Sequence, residues 1–205
     1  ARDVVTINSL EYEVLANGKV MRIHLLTFSQ SLVKDFNEVV EIIRGNPEIK
    51  GIILDVRNNP GGLLEAAVGI LGAILPAESV AVNIQYSYFN FTQYTAGKGA
   101  LSGYPMVVLT NKGSASASEI VAGALKDYGV AKIIGETTFG KGTVQEINYF
   151  GDGSSVKLTV AKWLTPLGHS IQKNGIMPDI EVAGSTNGGD PQLERALAEI
   201  AKLIR

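Results

Sequence analysis

Apolar positions divide this chain into short segments whose period changes repeatedly. "DVVTINSLEYEVLANGKVMRIHLLTF" reads as strand, turn and strand, with Asn17-Gly18 as the hairpin turn. Leu32, Phe36, Val39, Val40 and Ile43 then recur at helical spacing. Ser29 or Ser31 can cap that helix, and Gly45 with Pro47 ends it. "KGIILDV" is a short apolar run of the kind found in strands buried on both faces. "RNNPGG" is a turn, and "LLEAAVGILGAIL" is a second helix stopped by Pro76. "SVAVNIQYSYFNFTQYT" predicts one or two strands, and "YPMVVLT" another buried strand. The segment "GSASAS" and the helix "SEIVAGALKDYG" follow, then the short strand "AKIIGE". "GTVQEINYFGDGSSVKLTVAKWLTP" predicts a hairpin turning at "GDGS", and "GHSIQKNGIMPDIEV" a loop with a short strand. A polar linker, "AGSTNGGD", leads into the helix "PQLERALAEIAKLI". Strand, turn and helix alternate, so the predicted class is α/β with antiparallel hairpins added.

Composition narrows the possibilities. The chain has 205 residues, 45% of them hydrophobic, which is enough for one full core. A net charge of −2 gives no basic footprint for nucleic acid. No run of 18 apolar residues occurs, so no segment reads as a membrane-spanning helix. With no cysteine, disulfides, thiolate nucleophiles and cysteine-bound zinc are excluded.

The two histidines offer little as catalytic bases. His24 lies inside an alternating strand and His169 in a polar loop, neither beside an Asp motif that would suggest a Ser-His-Asp relay. No metal-ligand spacing occurs. "NNPGG" follows a buried strand and opens a helix, so its glycines can turn backbone N–H groups outward. Ser116 and Glu119 form S-x-x-E before an apolar helix, which by local sequence is a capping box. The two strand-to-helix turns, however, place two helix N-termini on one edge of one sheet, where ligands gather in α/β proteins. A serine there, beside backbone donors, has the setting of a nucleophile. Its base must then be a lysine held neutral; burial can lower the ordinary value near 10.4 by roughly 3–5 units. Lys141, between two glycines and close to Phe139 in "FGKG", is the lysine most suited to enter a packed site. Lys112, Lys126, Lys132 and Lys162 read as solvated charges.

"GIILDVRNNPGGLLEAAV", "VVLTNKGSASASEIVAGALKDYG", "IIGETTFGKGTVQ" and "LTPLGHSIQKNGIMPDIEV", in that order, resemble the carboxyl-terminal processing proteases, the tail-specific Ser-Lys peptidases of family S41. The resemblance implies a ClpP/crotonase-like α/β core with a twisted mixed sheet flanked by helices. It implies Ser116 as nucleophile and Lys141, 25 residues later, as base, with Gln145 orienting the lysine. It also implies an oxyanion hole of backbone N–H groups from Gly62 and Ala117, with no metal or organic cofactor. The implied activity is serine endopeptidase cleavage at or near protein C-termini through an acyl-enzyme, on a protein or peptide bound as an extended strand.

The expected boundaries are a protease core over 1–183 and a linker with a C-terminal helix packing on the core over 184–205. No carboxylate-binding loop of a PDZ domain appears in this sequence, so the expectation is either a protease core whose regulatory or adaptor domain is supplied elsewhere or a member that lacks the PDZ domain. Family habit implies an extracytoplasmic setting, periplasmic or membrane-associated, and leaves room for homo-oligomers. The rival readings are a non-catalytic ligand- or peptide-binding module on the same fold and an acyl-CoA enzyme of the crotonase type. The latter would need a basic cluster for CoA phosphates, which the chain does not show.

Overall fold

A computed structural model describes residues 8–185 and 188–204. Thus the first residues of the predicted N-terminal strand and two residues of the predicted linker lie outside the described residues. The elements are β1 (Leu10–Leu15), β2 (Val20–Leu25), α1 (Leu32–Gly45), β3 (Gly51–Asp55), α2 (Leu64–Ile74), β4 (Val80–Tyr86) and β5 (Asn90–Tyr94). They continue with β6 (Met106–Thr110), α3 (Ala117–Asp127), β7 (Ala131–Gly135), β8 (Thr143–Tyr149), β9 (Ser155–Leu164), β10 (Ile180–Glu181) and α4 (Pro191–Leu203). The class is α/β, with a mixed sheet flanked by helices.

The larger sheet has the order β1-β2-β3-β6-β7-β10. Only the β1–β2 hairpin is antiparallel; every other neighbouring pair is parallel. β3 and β6 are buried at every position, because helices cover both faces of the sheet centre. The crossovers β2-α1-β3, β3-α2-β6 and β6-α3-β7 all step in the same direction, which puts α1, α2 and α3 on one face. Their apolar stripes join Ile52, Leu54, Met106, Val108 and Ile133 in the main core. α4 covers the opposite face, with Ala196 and Ile200 against Val20, Ile53, Val107, Leu109 and Ile134.

The second sheet, β5-β4-β9-β8, is antiparallel throughout. The predicted run "SVAVNIQYSYFNFTQYT" resolves into two of its strands, β4 and β5. Ser31 stands at the start of α1, but its backbone is already helical and its side chain caps nothing; its hydroxyl pairs with that of Ser29 instead.

Candidate active site

β3, β6 and β7 are neighbours and parallel, so the turns at their carboxyl ends emerge side by side. These turns are "RNNPGG", "NKGSAS" and "ETTFGKG". Short hydrogen bonds tie the first two together. Ser114 Oγ donates to the Val56 carbonyl at 2.8 Å, and Ser118 Oγ to the Asn59 carbonyl at 2.9 Å. The Ala115 N–H reaches the same Asn59 carbonyl at 3.0 Å. Asn59, fully buried, donates to the Leu25 carbonyl and accepts the Gly61 N–H through its side chain. The alternating serines therefore divide their work. Ser114 and Ser118 are buried fasteners, and from 114 to 120 Ser116 is the single residue with partial exposure.

Ser116 has φ 54° and ψ −114°, outside the regions that a residue with a Cβ normally occupies. Such a backbone costs on the order of 1–3 kcal/mol and persists only where its surroundings enforce it. Here the surroundings include Gly61: a Cβ at that glycine would lie 2.7 Å from the Ala115 carbonyl oxygen and 2.8 Å from the Ser116 Cβ. Side by side on the two turns are the backbone N–H groups of Gly62 and of Ala117, the first residue of α3. Among the described residues neither finds an intramolecular acceptor. Unpaired donors at a helix start favour negative charge.

The third turn is fixed through Glu119, a side chain with 0% exposure. Its Oε1 accepts the Thr138 hydroxyl and the Gly140 N–H, each at 2.6 Å. Its Oε2 accepts the Ser116 N–H at 2.8 Å and the Lys141 N–H at 2.9 Å. Sequence reasoning identified Glu119 as half of a capping box, and its bond to the Ser116 N–H is that half. The other three bonds need a loop about twenty residues away in sequence, and no local pattern announces them. Four successive amides of the lysine loop are satisfied: Phe139 by the Ser114 carbonyl, Gly140 and Lys141 by Glu119, and Gly142 by the Gln172 side chain. Trp163 Nε1 donates to the Lys141 carbonyl at 2.9 Å.

A cleft of about 450 Å³ opens over these turns. Gly62, Ser116, Ala117, Lys141 and Gln145 all line it, so the structure brings the five sequence-predicted residues to one cavity. Leu63, Leu64, Val82, Ile84, Ile120 and Trp163 give it an apolar floor. Lys141 is half-buried and Gln145 is exposed. Among the described residues, no hydrogen bond links Lys141 Nζ to Ser116 Oγ or to the Gln145 amide. Phe139 is 65% exposed and does not supply the packing around the lysine loop. The packing around the loop comes instead from Trp163, a residue that sequence reasoning did not single out.

His24 lies outside this cleft, with Nε2 3.3 Å from the Arg57 carbonyl oxygen, and His169 sits 3.5 Å from Asp127 on the surface. Among the described residues, no His/Asp/Glu cluster could hold a metal ion.

Behind the "RNNPGG" turn lies a charged network that sequence reasoning also missed. Asp55, 0% exposed, accepts from Arg57 and Arg22, and Arg57 makes a two-pronged contact with Asp190 at 2.7 and 2.8 Å. Asp190 also caps α4 by accepting the Leu193 N–H. The C-terminal helix is thus fastened to the turn that carries Gly62. Burial alone would raise the Asp55 carboxyl; the hydrogen bonds and charge of Arg57, with those of Arg22, outweigh it and hold the group below its ordinary value. The Arg57 hydrogen bond chiefly lowers Asp190 as well.

Comparison with known proteins agrees with this architecture. Residues 19–182 match the profile of peptidase family S41. The chain is 42% identical over 160 residues to the carboxy-terminal processing protease CtpB of Bacillus subtilis, covering 78% of this chain and 33% of that protein. It is 42% identical over 183 residues to a carboxyl-terminal-processing protease of Synechocystis, covering 84% of this chain and 42% of that protein. Among solved structures, the photosystem II D1 C-terminal processing protease superimposes with a TM-score of 0.75 at 34% identity, over 87% of this chain and 49% of that one. The chain therefore spans between a third and a half of the length of these relatives.

Proposed function

Because the chain belongs to peptidase family S41, we propose that it is the catalytic core of a serine endopeptidase that cuts proteins at or near their carboxyl ends. The observation that carries the reading is the meeting of a strained, accessible serine, two unpaired amides and a lysine in one apolar cleft.

An extended peptide lies in the cleft with an apolar side chain on its floor. Ser116 Oγ attacks the scissile carbonyl carbon while neutral Lys141 Nζ takes the hydroxyl proton. The oxyanion that forms is held by the Gly62 and Ala117 N–H groups, which among the described residues have no internal acceptor to surrender. The C–N bond breaks as Lys141 passes its proton to the leaving amine, leaving an ester on Ser116. Water then attacks that ester as Lys141 takes its proton; the ester C–O bond breaks, the proton passes from Lys141 to Ser116 Oγ, and the new carboxyl end departs. Gln145, on the wall beside the lysine, orients it when substrate is bound. A carrier of apolar ligands on the same fold has no use for backbone strain at a serine or for two aimed, unpaired donors. The setting we propose is extracytoplasmic.

The test compares wild type, Ser116→Ala and Lys141→Ala on an unstructured protein such as casein. Both variants are expected to lose cleavage while keeping their fold. Cleavage by Ser116→Ala or by Lys141→Ala at the wild-type rate would sink the assignment.

A further inference from the structure

The cleft contains two positive side chains, Lys141 and Lys157, and no Asp or Glu. Lys141 is accounted for by the proposed chemistry; Lys157 is not. Lys157 lies on β9 directly across from Ile147 of β8, and one same-face step away Thr159 faces Gln145. Gln145, Ile147 and Lys157 all line the cleft, so this face of the hairpin forms its wall. Glu146 sits opposite Leu158 and, by strand alternation, belongs to the other face. Lys157 is exposed, and among the described residues no carboxylate pairs with it. β8 is an edge strand of its sheet, open to a strand laid alongside.

From this we infer that Lys157 reads a carboxylate on the substrate, within about four residues of the bond that is cut. This inference rests on the peptidase reading above. The reach follows from geometry: Thr143, two residues beyond Lys141, lines the same cleft, and Ile147 is four residues beyond it on an extended strand, roughly 13 Å at about 3.3 Å per residue. An extended peptide beside β8 covers that distance in the same number of residues. An apolar floor with a single cationic wall residue besides the base selects peptides that pair an apolar side chain with a nearby negative charge. The carboxylate is either an Asp or Glu side chain or the free end of the chain.

The experiment uses synthetic peptides in matched pairs, Glu against Gln at scanned positions and free acid against C-terminal amide. Cleavage is measured with wild type, Lys157→Met and Lys157→Glu, at low and high salt. Binding of the same labelled peptides to Ser116→Ala is followed by fluorescence anisotropy. An exposed ion pair predicts a KM about threefold to fivefold lower for the anionic member, with kcat little changed and the difference shrinking at high salt. Lys157→Met removes the preference and Lys157→Glu reverses it. A preference in the Glu/Gln pairs alone assigns a side-chain carboxylate; one in the acid/amide pairs alone assigns the chain end. Equal cleavage of both members by wild type, or a preference that survives Lys157→Met, overturns the inference and leaves the peptidase reading standing. Binding that depends on Lys157 without any cleavage overturns the peptidase reading and supports carboxylate recognition. No binding and no cleavage overturns both.

Discussion

Ser116 and Lys141, 25 residues apart, hang their backbone amides on the same oxygen: Glu119 Oε2 accepts one at 2.8 Å and the other at 2.9 Å. The register between proposed nucleophile and proposed base is therefore set by one buried carboxylate rather than by a direct bond between their side chains. Both oxygens of Glu119 are filled by donors, four in all.

Glu119→Gln keeps the shape but replaces one acceptor oxygen with an NH2 group facing N–H and O–H donors. The buried groups left unpaired cost about 1–3 kcal/mol each. We expect Tm to fall by roughly 5–10 °C. Activity should fall on the order of 100-fold, mainly in kcat, since a displacement of about 1 Å is enough for that. Thermal denaturation with separate kcat and KM values checks this; a normal kcat in Glu119→Gln would show that the register is fixed elsewhere.

Backbone strain at Ser116 makes a different forecast. Alanine keeps the Cβ in an unfavourable conformation, whereas glycine adopts positive φ freely. Both Ser116→Gly and Ser116→Ala are expected to be inactive, but the glycine variant should be more stable than the alanine variant by about 1 kcal/mol. Urea denaturation of the pair measures the difference. Equal midpoints, or a more stable alanine variant, would mean that the φ 54° backbone stores no strain.

Gly62 has φ 148°, and a Cβ there would lie 2.3 Å from the Phe28 carbonyl oxygen. That carbonyl already accepts the Leu63 N–H at 2.8 Å, so it is not free to withdraw. Gly62→Ala is therefore expected to shift the turn and its unpaired amide. The loss of one oxyanion donor corresponds to about 100–1000-fold in rate. Steady-state peptide hydrolysis tests it, and near-normal kcat would remove Gly62 from the oxyanion hole.

The Asp55–Arg57–Asp190 network predicts acid sensitivity with a defined sign. Both carboxyls are lower in the folded than in the unfolded chain, so the unfolded state binds more protons near pH 4. Their stabilisation is complete above the unfolded carboxyl range near 4 and is lost as pH falls further, through the folded values. Asp190→Asn should thus lower the urea midpoint clearly at pH 7 and much less at pH 3. An equal decrement at both values would show that the Arg57–Asp190 contact carries no pH-linked stability.

Most of the element order was legible in the sequence, because each segment buries its apolar residues at its own period. The short apolar runs within β3 and β6 announced strands covered on both faces, and all five positions of each are buried; Gly45, Pro76 and "GDGS" marked real ends. The ordered motifs also carried the family, and with it Ser116, Lys141, Gln145, Gly62 and Ala117 as candidates. What those motifs do to one another was not legible. The sequence singles out Ser116 among the three serines but gives no partners for its neighbours; only folding turns Ser114 and Ser118 inward onto the Val56 and Asn59 carbonyls and leaves Ser116 accessible. Likewise Glu119 reads locally as a helix cap. Its role across three turns exists only once β3, β6 and β7 stand side by side and bring distant amides within about 3 Å of one carboxylate. Periodicity reports burial, which is a property of a segment. Hydrogen-bond partners across turns are a property of strand order, and strand order belongs to the tertiary structure.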